Sequence, residues 1–255
     1  MERKVVLITG ASSGIGFSCA KAFAAAGFDL ILNARRAERI EQLAGELAEQ
    51  WGVECLPMVF DVRDREAVFN LLSKLEGKWR KIDVLVNNAG LALGLSDIQD
   101  GDLDDWDQMI DTNVKGLLYV SKAVMPLMIE QGQGQIINIG SIAGRETYPK
   151  GNVYCATKHA VDSLTKAMRM DLLPHGIRVS QVSPGAAQTE FSEVRFKGDT
   201  QRAEKVYEGF KPLTGDDIAH CVLFCATLPA HVTVNDMLVM PSAQASAGLI
   251  HRTLS

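Results

Sequence analysis

The chain has 255 residues, 47% of them hydrophobic and 22% charged, so enough apolar surface exists to offset the ordering entropy and intrinsic disorder is excluded. A net charge of −5 argues against a general nucleic-acid binder, which needs a basic face to displace counterions from phosphate. No apolar run is long enough to predict a transmembrane helix, and Met1-Glu2-Arg3-Lys4 lacks the apolar stretch and small-residue cleavage site of a secretory signal.

Short β-rich runs alternate with helical runs. Val5-Val6-Leu7-Ile8 is a continuous apolar strand, as burial on both faces requires. A helix is expected over 14–26, a strand at 30–32 and a charged helix over 37–50. A third strand over 53–60 is less regular because it holds Pro57. Helix 64–74 and strand 84–86 follow. A long helical region from 105 to 130 is interrupted near Asn113. Strand 136–139 leads to a long helix over 152–173, ended by Pro174 and Gly176. Strand 177–182, an irregular polar stretch to about 212, helix 216–227 and strand 234–239 complete the pattern.

Strict alternation predicts an α/β fold, with a parallel sheet and helices on both faces. No linker or repeat divides the chain, so residues 1–255 read as one domain. Segment 186–211 is the longest irregular insertion and is expected to be a lid. The polar tail 242–255 is expected to be mobile or to pack on a neighbouring subunit. The five cysteines, Cys19, Cys55, Cys155, Cys221 and Cys225, show no Cys-x-x-Cys spacing. They read as small buried thiols of a reducing cytoplasm, with no metal assigned.

The first strand runs into Thr9-Gly10-Ala11-Ser12-Ser13-Gly14-Ile15-Gly16. Glycines between a strand and a helix start permit a tight turn, and the helix end offers N–H groups and a positive dipole to a pyrophosphate. The second strand ends in Asn33-Ala34-Arg35-Arg36 without the carboxylate that suits the ribose hydroxyls of NAD. Two guanidiniums there favour NADP, whose 2′-phosphate they can hold. Asp61 ends the third strand; its carboxylate either accepts an adenine amine or caps the next helix.

Tyr154 and Lys158 lie four residues apart on the long helix and share a face. Ser141 follows the fifth strand, at the sheet edge where ligands bind. A phenol is a poor acid–base group at neutral pH unless a neighbouring ammonium favours the phenolate. Tyr154 is then a candidate proton donor to a carbonyl oxygen that Ser141 also bonds.

With these motifs, Asn87-Asn88-Ala89-Gly90, Asn113 and Pro184-Gly185, nearly the whole chain resembles the short-chain dehydrogenase/reductase family. The resemblance implies a doubly wound Rossmann sheet of seven strands, order 3-2-1-4-5-6-7, and a homotetramer built through the two long helices. It implies that Tyr154 is the acid/base, Ser141 orients the carbonyl, and Lys158 binds the nicotinamide ribose and tunes Tyr154. Asn113 is implied to hold a proton-relay water. Gly10, Ser12, Ser13, Gly14, Ile15, Gly16, Asp61, Val62, Asn88, Ala89 and Gly90 are implied to line the cofactor, and Pro184, Gly185, Ala187 and Thr189 to cover it.

Stretches 144–149, with Tyr148, and 189–199, with the Met240-Pro241 pair, are similar to NADP-dependent 3-hydroxy acid dehydrogenases, also called serine 3-dehydrogenases. These oxidise serine, allo-threonine or 3-hydroxyisobutyrate. Asn235-Asp236-Met237 departs from the common family ending of the last strand and agrees with this subgroup. A carboxylate substrate wants a cation; Arg145, Lys150 and Arg195 are candidates, with Arg145 ranked first because it sits between Ser141 and Tyr154. Two other readings remain open: a carbonyl reductase for ketones or acyl thioesters, and a non-catalytic NADP sensor. An epimerase or dehydratase needs a larger carboxyl-terminal domain.

Overall fold

The computed structural model describes residues 3–253. Seven strands form one parallel sheet: β1 (Val5–Thr9), β2 (Asp29–Ala34), β3 (Cys55–Val59), β4 (Ile82–Asn87), β5 (Gly134–Ile139), β6 (Ile177–Pro184) and β7 (Asp236–Val239). Their spatial order is β3-β2-β1-β4-β5-β6-β7. Helices α1 (Gly14–Ala25), α2 (Ala37–Trp51), α3 (Arg65–Leu72), α4 (Leu103–Ile110), α5 (Leu117–Gln131), α6 (Asn152–Leu172), α7 (Phe191–Arg195), α8 (Thr200–Lys205) and α9 (Gly215–Thr227) connect them.

The two-residue period of a strand explains the two cores. On β1, Val6 and Ile8 face α1, α2 and α9 together with Leu30 and Leu32 of β2. Val5 and Leu7 face the opposite layer, formed with α3, α5 and α6. Both sets are fully buried, so the strand must be apolar at every position. β3 is an edge strand, which is where Pro57, lacking an N–H, is tolerated.

The interruption near Asn113 is a π-helical segment, Asp111–Gly116, joining α4 to α5. The 186–211 segment is more ordered than expected. It carries α7 and α8, separated by Lys197 and Gly198 at positive φ, and Asp199 caps α8 through its carboxylate on the Arg202 N–H. These helices are too short for an apolar period to develop, so the sequence pattern is silent about them.

Residues 242–253 of the tail fold back on their own chain. Gln244 pairs with Ile250, and Thr253 N–H donates to Gly209 O at 2.8 Å. Residues 254 and 255, and 1 and 2 at the other end, lie outside the described residues.

Candidate active site

The C-terminal strand ends open onto one cleft of about 570 Å³. At its nucleotide end, Gly10 and Gly14 turn the chain at positive φ. Ser13 caps α1 without a side-chain bond to it, so the first N–H groups of the helix remain available to an anion. Gly16 cannot carry a side chain: a Cβ would lie 2.3 Å from Gly10 O and 2.4 Å from Asn88 Nδ2. Asn88 braces the loop from the other side, donating to Thr9 O at 2.9 Å and Gly10 O at 3.2 Å. A cradle so shaped, with cationic groups at the end of β2, fits a phosphorylated dinucleotide.

Arg35 and Arg36 both line the cleft. Arg36 donates to Ser12 Oγ at 3.1 and 3.2 Å and pairs with Glu190 at 3.1 Å, and Arg39 reaches the other Glu190 oxygen at 2.8 Å. Burial raises the Glu190 carboxyl, but the hydrogen bonds and charges of the two guanidiniums outweigh it and hold it below the usual carboxylate range. Asp61 is not the helix cap: Asp64 is, accepting from Ala67 N at 3.0 Å. Asp61 lies in the cleft wall, bonded by Arg63 at 2.7 Å and 3.8 Å from Arg35. Burial raises its carboxyl, yet the Arg63 bonds dominate and lower it overall.

At the reacting end, α6 brings Tyr154 and Lys158 to the cleft, each only 8% exposed. Lys158 Nζ donates to Ile139 O at 3.0 Å, and burial pulls its pKa down to about 8. Burial pushes the Tyr154 phenol well up, the Tyr148 phenol adds to this, and Ser141 and Arg195 oppose it. The chain's own acidifying groups at Tyr154 are thus Ser141 and Arg195; Lys158 Nζ stands 6.0 Å from the ring centre. Ser141 is seated by a tight 3₁₀ turn, Ile142–Gly144, whose Ala143 N–H bonds its Oγ at 3.1 Å. Gly144 lets that turn lie on α6, because a Cβ there would meet Lys158 O at 2.6 Å.

Asn113 is buried beside this group rather than in the cleft wall. Its Oδ1 accepts from Leu91 N at 2.8 Å, and its Nδ2 donates to Leu91 O and to Thr157 Oγ1. Both Nδ2 hydrogens and one Oδ1 lone pair are thereby spent on clamping Leu91 to α6.

The three substrate cations separate clearly. Arg145 leaves the cleft and pairs with Asp236 at 2.8 Å, which corrects its first rank: the 3₁₀ turn ends just before it and directs it outward. Lys150 is exposed and 3.8 Å from Asp97. Arg195 lines the cleft, its guanidinium 5.7 Å from the Tyr154 ring centre, held by bonds to Gly94 O and Tyr148 Oη at 3.1 and 3.0 Å. Among the described residues it has no carboxylate partner.

The family model for short chain dehydrogenases matches residues 4–200. The chain belongs to the short-chain dehydrogenase family. It is 47% identical over 251 residues to the NADP-dependent 3-hydroxy acid dehydrogenase YdfG of Salmonella typhi, covering 98% of this chain and 100% of that one. It is 48% identical over 242 residues to sulfoacetaldehyde reductase 2 of Chromohalobacter salexigens, covering 94% and 95%. Among solved structures, the closed form of a serine dehydrogenase complexed with NADP+ superposes with a TM-score of 0.91 at 44% identity, covering 98% of this chain and 100% of that one.

Several residues of this dehydrogenase's cleft escaped sequence reasoning. Glu190, in the cleft wall, meets Arg39 across 151 positions, and no local pattern announces such a bridge. Phe191, edge-on to Tyr154 at 5.6 Å, sits on a helix too short to read. Gln244, Ala247 and Ile250 reach the cleft from the tail. Tyr148 left a signal as an aromatic in the short loop before Tyr154, and Glu190 and Phe191 stand within the 189–199 stretch that carries the subgroup resemblance.

Proposed function

We propose that this NADP-dependent dehydrogenase oxidises the 3-hydroxyl of a short 3-hydroxy acid, of the serine, allo-threonine or 3-hydroxyisobutyrate type, and reduces the matching semialdehyde. The observation that carries the acid part is Arg195, a guanidinium in the cleft beside Tyr154 with no carboxylate partner among the described residues. Buried or half-buried cations are stable when an anion meets them, and a substrate carboxylate supplies one. The same guanidinium suits a sulfonate, the group carried by sulfoacetaldehyde.

When bound, NADP supplies the site that gives or takes the hydride. Gly10, Ser12, Ser13, Gly14, Ile15 and Gly16 would hold its pyrophosphate, and Arg35 and Arg36 its 2′-phosphate. Asp61, Val62, Asn88, Ala89, Gly90, Pro184, Gly185, Ala187 and Thr189, which line the same cleft, would complete the cofactor's binding surface. The chain's own residues do the proton work. Tyr154 Oη takes the alcohol proton in oxidation and returns it to the carbonyl oxygen in reduction, while Ser141 Oγ bonds the same oxygen. Lys158, an ammonium below a pH of about 8 and one helical turn from Tyr154, would hold the nicotinamide ribose, while Ser141 and Arg195 favour the phenolate. Asn113, in the π segment where regular helix bonding is broken, is the residue proposed to hold a proton-relay water.

Segment 186–211 acts as the lid. We carry a homotetramer through α5 and α6 as the assembly; exposed Met170 and Leu173, at 69% and 74%, support it. Light scattering tests it. No helix among the described residues is long and apolar enough to cross a membrane, and a cytoplasmic location belongs to the same reading.

The deciding experiment follows NADPH absorbance with serine, allo-threonine, 3-hydroxyisobutyrate, isethionate and uncharged alcohols. Selective turnover of the acids is expected. Preference for uncharged ketones or acyl thioesters in the reverse direction overturns the substrate assignment, and no turnover of any pair favours a sensor.

A further inference from the structure

The tail leaves β7 through Met240-Pro241 and turns back on itself. Gln244 N–H donates to Pro241 O at 2.9 Å, Gln244 pairs antiparallel with Ile250, and Ala245 N–H bonds Leu249 O. The inner side chains of this loop, Ala247 and Ile250, line the cleft.

The loop is tied to three segments that bound the substrate end. Gln244 is buried, and its Oε1 accepts from Ala186 N at 2.8 Å, at the point where the chain leaves β6 for the lid. Ala247 N–H donates to Glu146 Oε2 at 2.8 Å, in the loop between Ser141 and Tyr154. Arg252 stacks on Phe210 at 5.1 Å and donates to Glu208 O and Val206 O, and Thr253 N–H donates to Gly209 O. Tyr207, between those carbonyls, closes the circuit by donating to Ala187 O at 2.9 Å.

We propose that segment 242–253 is a size-selecting wall of the substrate pocket, with Ala247 and Ile250 as specificity-determining residues and Gln244 as a positioning residue for the lid. A wall of small and medium apolar side chains limits the carbon chain beyond the reacting hydroxyl. Hydrogen bonds on three sides keep it from yielding to a longer one. This deepens the reading of a short substrate and rests on it.

The test compares Ile250→Ala and Ala247→Phe with wild type on 3-hydroxypropionate through 3-hydroxyhexanoate, and in parallel on 2-alkanones from propanone to heptanone. Ile250→Ala is expected to raise kcat/KM for the longest member relative to the shortest by roughly tenfold, and Ala247→Phe to lower it, as added or removed methylenes do in apolar pockets. NADPH affinity, read by fluorescence, stays within about twofold, because the change is confined to the substrate side. Ratios unchanged in both variants overturn the wall. If wild type ignores hydroxy acids, the substrate assignment fails while the ketone series still tests the wall. Gln244→Leu is expected to raise KM roughly tenfold with kcat largely kept, the mark of lost ground-state positioning. An equal loss of amount folded and of kcat at unchanged KM overturns that role.

Discussion

The two ends of the cleft are built differently. At the nucleotide end the pyrophosphate cradle is backbone: a turn, a helix terminus and a glycine, Gly16, that admits no side chain, all anchored directly to β1, with the Arg35, Arg36 and Asp61 side chains at its outer rim. At the substrate end they are side chains on connecting segments: Arg195 on α7, Tyr148 before α6, and Ile250 on the tail. Tyr154, Ser141 and Lys158 lie between, on elements packed into the sheet. A backbone site fixes its ligand class and resists change, whereas a side-chain site on loops can be rewritten without disturbing the fold.

Substitutions across the cleft break or sharpen this contrast. Tyr154→Phe, at the shared centre, is expected to cut kcat by about 10² to 10⁴-fold, the usual range for a lost acid–base group, with NADPH binding and melting temperature preserved. Retained turnover in a folded variant would sink the mechanism.

Lys158→Met probes the buried centre through pH. The folded-state pKa of about 8 lies below the ordinary 10.5, so the unfolded chain holds the proton between these values while the native chain does not. Wild type therefore gains stability relative to Lys158→Met as pH rises from about 8 to about 10.5. The full gain is roughly 3 kcal/mol at 1.36 kcal/mol per unit. Denaturant titrations of both proteins at pH 7.5, 9 and 10.5, roughly spanning that window, measure it, and parallel curves would refute the burial argument.

Arg195→Met tests the substrate end. It is expected to raise KM for a 3-hydroxy acid by about 10 to 100-fold, the worth of a charge-assisted bond, and to leave KM for an uncharged alcohol nearly unchanged, whereas any loss of kcat through Tyr154 falls on both substrates alike. Equal KM effects on both substrates would remove the carboxylate from Arg195. At the other end, Arg36→Met should weaken NADP by roughly tenfold and leave NAD unchanged, as read by calorimetry. The smallest effect belongs to Arg145→Met, whose exposed pair with Asp236 is worth under about 1 kcal/mol, so KM should hold within about twofold.

The nucleotide end was legible because its signals are local. Glycine spacing, a strand before and a helix after are contiguous facts, and the i, i+4 relation of Tyr154 to Lys158 is one too. Even the break at Asn113 showed in the pattern. The substrate end depends on where side chains point and on contacts between distant segments. Arg145 adjoins the Ser141 turn in sequence but exits toward Asp236, 91 residues later. Asp61 and Asp64 are both plausible caps by type, and only the turn geometry selects Asp64. The tail's fold on the lid arises from contacts of Gln244, Arg252 and Thr253 with segments far away in sequence, which composition cannot register.

Beneath both ends runs a file of buried polar groups. Asn87 Nδ2 donates to Ser121 Oγ and to Asn138 Oδ1, each at 2.9 Å, and Asn138 Nδ2 donates to Thr165 Oγ1 at 2.9 Å. It stitches α5 and α6 to the middle of the sheet. An apolar replacement of any one member strands its neighbour's donor or acceptor without water. The floor of the catalytic chamber can consequently be remodelled only by simultaneous, matched exchanges, so the stepwise paths by which such an enzyme acquires a new preference run through its rim.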